Sequence, residues 1–185
     1  MSTTQLEEAI ASTREVLAQV TPDQIELSTP CAAWKVSDLI NHIVGGQLFF
    51  EAGVLEAPPS GGDTDFAAGD FLAAFDDASS RCVSAFQSDG VMEKILTLPF
   101  GPMPGSAFVG LATTDTFTHG WDLARATGQS TDLRPDLAAT LLTTAQQMIQ
   151  PAFRSDEGHV FGPEKSAPAD ASPADQLAAF LGRTV

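Results

Sequence analysis

Three residues of this sequence have the types and spacing to do chemistry together: His42, Asp115 and His119. Asp115 and His119 are four apart, so on a helix they project from one face, a turn from each other. His42 falls at the matching inward position of an earlier helical segment. Burying such polar groups unpaired costs on the order of 1–3 kcal/mol each, and a shared divalent metal is an economical way to satisfy all three. Imidazole and carboxylate both suit zinc, and imidazole also suits nickel. Three protein ligands leave a coordination position for water or substrate, and a bound water or thiol loses its proton near neutral pH. The bare D-x-x-x-H spacing arises often by chance, and hydrogen-bonded core polars are the alternative reading.

Helices must position these groups, because helical periodicity dominates the chain. Leu6, Ile10, Thr13, Leu17 and Val20 form one stripe, with Thr4 and Glu7 as a capping box. After a turn-rich stretch from Ser28 to Trp34, Ser37 is expected to cap a second helix with the stripe Leu39, His42, Ile43, Gly46 and Phe50. Asp38 suits the positive end of that helix. Residues 57–66 read as a loop. A third helix carries Phe71, Phe75, Ala78, Cys82 and Phe86 and runs to about Asp89-Gly90. Pro99, Pro102 and Pro104 break the next stretch, leaving room for a short extended piece at Ile95–Leu98.

The fourth helix is expected from about Ser106 to Thr127, with an inner stripe of Phe108, Leu111, Asp115, His119, Asp122 and Ala126 and with Gly128 as its left-handed stop. Pro135 opens a fifth helix that Pro151 ends. Residues 154–171 read as an irregular surface run that includes a solvent-facing His159, and a short last helix spans Gln176 to Leu181. The pattern predicts an all-α fold, an antiparallel four-helix bundle with short additional helices, as one domain over residues 1–185.

Composition narrows the partners. The chain has 9 basic and 24 acidic residues, a net charge of −15, which argues against nucleic acid and against an anionic membrane surface. No segment approaches the ~18 continuous apolar residues of a membrane span, and the opening MSTTQLEEAI lacks a signal-peptide pattern, so a cytoplasmic protein is expected. Cys31 and Cys82 read as free thiols, and Cys31 as a small buried hydrophobe rather than a nucleophile. Small molecules and a metal are the expected partners, with a homodimer as a further one that helical faces allow.

Around the three residues, Asp122 could orient a histidine, ligate as a fourth donor or pair with Arg125; the orienting role is favoured. Arg125 reads equally as a clamp for a substrate carboxylate and as a cation at the helix C-terminus. Trp34 and Trp121 read as packed aromatics rather than pocket walls. The loops near 51–66 and 97–105 are expected to set specificity.

The segments Thr29-Pro30-Cys31-Ala32-Ala33-Trp34-Lys35-Val36-Ser37-Asp38-Leu39-Ile40-Asn41-His42 and His119-Gly120-Trp121-Asp122-Leu123-Ala124-Arg125-Ala126-Thr127-Gly128 resemble the metal-binding domain of mycothiol-dependent maleylpyruvate isomerase, within the DinB/YfiT-like group. Phe161-Gly162-Pro163 and Ala179-Phe180-Leu181-Gly182-Arg183 extend the resemblance over nearly the whole chain. It implies a helical bundle with a divalent metal on His42, Asp115 and His119, and a thiol cofactor such as mycothiol at the open position. The implied chemistry is thiol transfer or thiol-assisted isomerisation of a small electrophile. The isomerase carries Glu where this chain has Asp115, and 185 residues leave no room for its separate C-terminal domain. A non-catalytic ligand- or partner-binding bundle and a degenerate family member without activity are the alternative readings.

Overall fold

The computed structural model describes residues 1–31, 33–154 and 161–185. The expected His159 lies outside these. Among the described residues there are six α-helices and one two-stranded sheet: α1 Thr3–Leu17, α2 Val36–Leu55, α3 Phe71–Phe86, β1 Ile95–Leu98, β2 Gly101–Pro104, α4 Gly105–Ala126, α5 Pro135–Met148 and α6 Pro173–Phe180. None of these helices is long and apolar enough to cross a membrane.

Several ends differ from expectation, each for a local reason. α1 begins at Thr3 because Ser2 is extended and its Oγ accepts from Gln5 N (3.4 Å) while Gln5 Oε1 accepts from Ser2 N (3.1 Å). The capping box is therefore Ser2 with Gln5, not Thr4 with Glu7. α2 is capped by Asp38, which reaches back to accept from Lys35 N at 2.9 Å; Ser37 sits inside the first turn and caps nothing. α3 stops at Phe86, short of the left-handed Gly90. The proline-rich stretch forms an antiparallel hairpin, with Ile95 opposite Pro104 and Leu98 opposite Gly101. Gly101 (φ +117°) makes its turn possible. α6 starts at Pro173, since Ser172 Oγ accepts from Asp175 N (3.1 Å).

α4 is the helix the others surround. α1 packs along it, α2 packs against both α3 and α4, and α6 reaches it from α5. The apolar core lies in three connected regions. Phe50, Phe86 and Phe108 meet beneath the hairpin, with ring centroids 5.3 and 5.7 Å apart about Phe108. Phe117, Trp121, Leu137, Leu141 and Leu177 join α4 to α5 and α6. Leu39, Ile40, Ile43, Phe75 and Leu123 join α2, α3 and α4. Each such side chain contributes roughly 1.5–3 kcal/mol by leaving water.

The α1–α4 contact is as close as backbone allows at one point. A Cβ on Gly120 would lie 2.3 Å from Thr13 Oγ1 and 3.3 Å from Thr13 Cα, and Thr13 Oγ1 donates to Thr116 O (2.9 Å) in the same buried contact. Because the obstruction includes α1 backbone, the helices would have to move apart. Gly120→Ala should therefore destabilise the protein by about 1–3 kcal/mol, lowering the melting temperature by roughly 2–4 °C per kcal/mol; urea and thermal denaturation followed by circular dichroism measure both.

Candidate metal centre

The stripe that carries Asp115 and His119 is only partly buried at these two residues. α4 is buried on most of its circumference, but the side chains of His42, Asp115 and His119 keep 34%, 27% and 12% of their exposure. The three side chains are therefore held by the core without being sealed in it. Helix positions explain the meeting. His42 and Gly46, one turn apart on α2, both face α4, and a Cβ on Gly46 would lie 3.4 Å from Asp115 Oδ2. A larger side chain there would press on the carboxylate.

Asp115 stands between the two imidazoles. Its Oδ1 is 3.7 Å from His42 Nε2 and 3.5 Å from His119 Nε2, and the rings meet edge to face with centroids 4.4 Å apart. These separations exceed ordinary hydrogen-bond lengths. They are close to the ~3.3–3.4 Å between donors that each lie 2.0–2.1 Å from one tetrahedral ion. His42 Nε2 is shut off from solvent and has no hydrogen-bond partner among the described residues, a costly state for a buried nitrogen. The donor set thus fits a divalent cation, by spacing and by the orphaned nitrogen. The three donor atoms lie within 4.8 Å of one another.

Asp122 is fully buried and supports His119 from the other side. Its Oδ2 lies 3.0 Å from His119 Nδ1, so Nδ1–H donates to it and Nε2 is left as the free donor toward Asp115. Arg183 grips the same carboxylate with two bonds, Nε to Oδ1 (3.2 Å) and Nη2 to Oδ2 (3.0 Å). The Cys31 thiol also donates to Asp122 Oδ2 (3.3 Å) and lies 4.0 Å from His119 Nδ1. Cys31, His119 and Asp122 form a second group of compatible donors. In that group Asp122 is already engaged by Arg183, and His119 Nδ1 by Asp122.

Cys31 is thus half-buried at the edge of this cluster, not the core hydrophobe expected of it. Cys82 is the core thiol, and burial pushes it up to about 12. Trp34 covers the imidazoles, its ring 4.7 Å from that of His42 and 5.8 Å from that of His119. The connection before α2 holds it there: Thr29 Oγ1 accepts from Cys31 N (3.1 Å) and donates to Trp34 O (3.0 Å). Trp121 is core, with Nε1 donating to Asp175 (2.8 Å).

Arg125 lies apart from the cluster, exposed beside Pro168, Asp170 and Asp175. The 97–105 hairpin packs at the Phe50–Phe108 end, about 12–16 Å along the helix axes from His42 and His119 at 1.5 Å per residue. It does not border the site. Cys31, Trp34 and Arg183 flank the cluster instead. Arg183 escaped the sequence reading, although Gly182 after the apolar run Leu177–Leu181 signals a helix stop that throws the next residue back.

Residues 6–124 match the family of the mycothiol maleylpyruvate isomerase N-terminal domain. The chain belongs to that family. It is 45% identical over 172 residues to the uncharacterized proteins MT0763 and Rv0738 from two strains of Mycobacterium tuberculosis, covering 92% of this chain and 91% of each relative. The fold is similar to the crystal structure of the mycothiol-dependent maleylpyruvate isomerase, with a TM-score of 0.60 at 14% identity, over 76% of this chain and 65% of that one. This chain therefore spans about two thirds of the isomerase's length.

The electrostatics of the cluster follow from its geometry. Burial opposes charge on His119, but contacts with Asp115, Asp122 and Cys31 outweigh it and hold its proton well above the usual histidine range. Burial likewise opposes charge on Asp115 and Asp122. Contacts with His119 and His42 hold Asp115 well below the usual carboxylate range, and those with His119 and Arg183 lower Asp122. A raised histidine contributes stability fully present below its unfolded value of ~6.5 and lost as pH climbs through its folded value. The lowered carboxylates contribute stability present above ~3.9 and lost in acid. Chelator-treated protein should therefore be less stable to urea at pH 9 than at pH 6, with a smaller difference in Asp122→Asn. Zinc affinity should rise over the same range, because a cation displaces the His119 proton. Titrations at several pH values measure this.

Proposed function

We propose that this protein is a divalent-metal-dependent enzyme acting on a small electrophile with a low-molecular-weight thiol of the mycothiol type, or with water, in thiol transfer or thiol-assisted isomerisation. The observation that carries the reading is the orphaned His42 Nε2 facing an Asp115 carboxylate that His119 Nε2 approaches from the other side. Family membership and the likeness in fold to the mycothiol-dependent maleylpyruvate isomerase support the choice of a thiol. The long helices α1–α4 are read as the antiparallel bundle of the DinB type, in one domain over residues 1–185, in a cytoplasmic protein.

His42 Nε2, Asp115 Oδ1 and His119 Nε2 would hold the ion, with zinc the first choice and nickel the second. A bound divalent ion supplies Lewis acidity that turns a thiol or water into a nucleophile near neutral pH. The chain's own groups do the rest. Asp122 fixes the His119 ring and its tautomer through Nδ1. Trp34 covers the imidazoles and restricts the approach of water from its side. On α2, Gly46 faces the Asp115 carboxylate, and a Cβ there would already touch Oδ2 at 3.4 Å. Asp115, with 27% of its side chain exposed, marks the side from which thiol and substrate would approach.

Protein purified without chelator or affinity tag should carry divalent metal at roughly equimolar level by elemental analysis. His42→Ala should weaken retention by at least about 100-fold, the upper end of what losing an outer supporting contact costs. Thiol consumption with a reactive electrophile should be lost with the metal and return on its addition. Equal metal content in wild type and His42→Ala would overturn the reading.

A further inference from the structure

The C-terminal residues enter the candidate site through one turn. After α6 the chain makes a Schellman stop: Gly182 N donates to Ala179 O (3.0 Å) and Arg183 N to Ala178 O (2.9 Å). Gly182 is left-handed (φ +96°), and a Cβ there would lie 2.9 Å from Gly162 Cα. The turn therefore needs glycine twice over, for its φ and for the close pass of residue 162. Its effect is to send Arg183 back toward α4, where the guanidinium is nearly buried and further fixed by Nη1 donating to Leu181 O (3.1 Å).

At its far end the guanidinium holds both oxygens of Asp122. A two-point grip of this kind fixes the plane of a carboxylate as well as its position. Asp122 Oδ2 is then aimed at His119 Nδ1, and His119 Nε2 is aimed at Asp115. The side chains form a single file from the C-terminus to the proposed metal: Arg183, Asp122, His119. Without the grip, a buried carboxylate would keep only His119 and the weak thiol donor of Cys31 as partners, and nothing would set its plane.

We propose that Arg183 is a positioning residue that orients His119 through Asp122, so that the Gly182-Arg183 turn is part of the metal-binding apparatus. This rests on the metal site proposed above. Neutralising a buried aspartate is a simpler role for an arginine, and the two differ in outcome. A neutralising cation can be replaced by lysine without loss at His119; an orienting fork cannot.

The test compares wild type, Arg183→Gln, Arg183→Lys, His42→Ala and Ser172→Ala. Zinc affinity is read by competition with a chromophoric chelator, and the His119 Nδ1–H proton resonance is read in metal-free protein. Arg183→Gln should bind zinc about 10–100-fold more weakly and lose the slowly exchanging His119 resonance. Arg183→Lys should regain the melting temperature while staying several-fold weaker for zinc. Ser172→Ala, which loosens the start of α6, should lower the melting temperature and leave zinc affinity unchanged. Wild-type affinity and an intact resonance in Arg183→Gln would overturn the proposal, as would full recovery by lysine. Should Arg183→Gln fail to fold, the zinc affinity and imidazole resonance of Arg183→Lys decide between the two roles. If His42→Ala binds zinc as tightly as wild type, the metal reading fails, and the imidazole resonance still decides what Arg183 does.

Discussion

A carboxylate held between two imidazoles, too far from either for a good hydrogen bond and too close to ignore them, is the constraint around which the rest of the chain is arranged. The 3.5 Å between Asp115 and His119 is set by one turn of α4, and the 3.7 Å between Asp115 and His42 by the packing of α2 against α4, where Gly46 faces Asp115. α4 is placed in turn by the Gly120–Thr13 contact with α1, immediately after His119. The apolar regions on three sides of α4 then keep these distances from relaxing, because well-packed interiors resist the small shifts that would close them.

Charge explains why so polar a cluster survives inside an acidic protein. The site holds two carboxylates kept below their usual range, Asp115 and Asp122, beside the guanidinium of Arg183 and a His119 whose proton these carboxylates favour. Arg183 is a permanent charge and balances Asp122. A proton favoured on His119 is exchangeable, and a cation bound there would take its place. Buried ions of this kind are weak evidence for stability and costly when half the pair is removed.

The helical course of the chain was legible because amphipathic stripes and helix stops are local features. Phe75, Cys82, Phe108 and Leu141 are buried as their spacing indicates, and Gly128 is left-handed after α4. Helix starts were less legible. Ser2 and Asp38 compete with neighbouring residues of similar capping strength, and only three-dimensional hydrogen bonding separates them. The convergence of His42 with Asp115 and His119 followed from stripe registration. What the sequence could not convey was anything carried by tertiary return of the chain. Cys31 and Trp34 sit on an irregular connection, and Arg183 lies 61 positions from the aspartate it holds. Arg125 is near Asp122 in sequence, yet its side chain is exposed beside Pro168, Asp170 and Asp175, while Arg183 takes the carboxylate.

The central claim is tested most directly by a zinc-soaked crystal measured on both sides of the zinc absorption edge. The expected result is an anomalous peak about 2.0–2.2 Å from His42 Nε2, Asp115 Oδ1 and His119 Nε2. A peak instead among Cys31, His119 Nδ1 and Asp122, or no peak at these residues at saturating zinc, would contradict it.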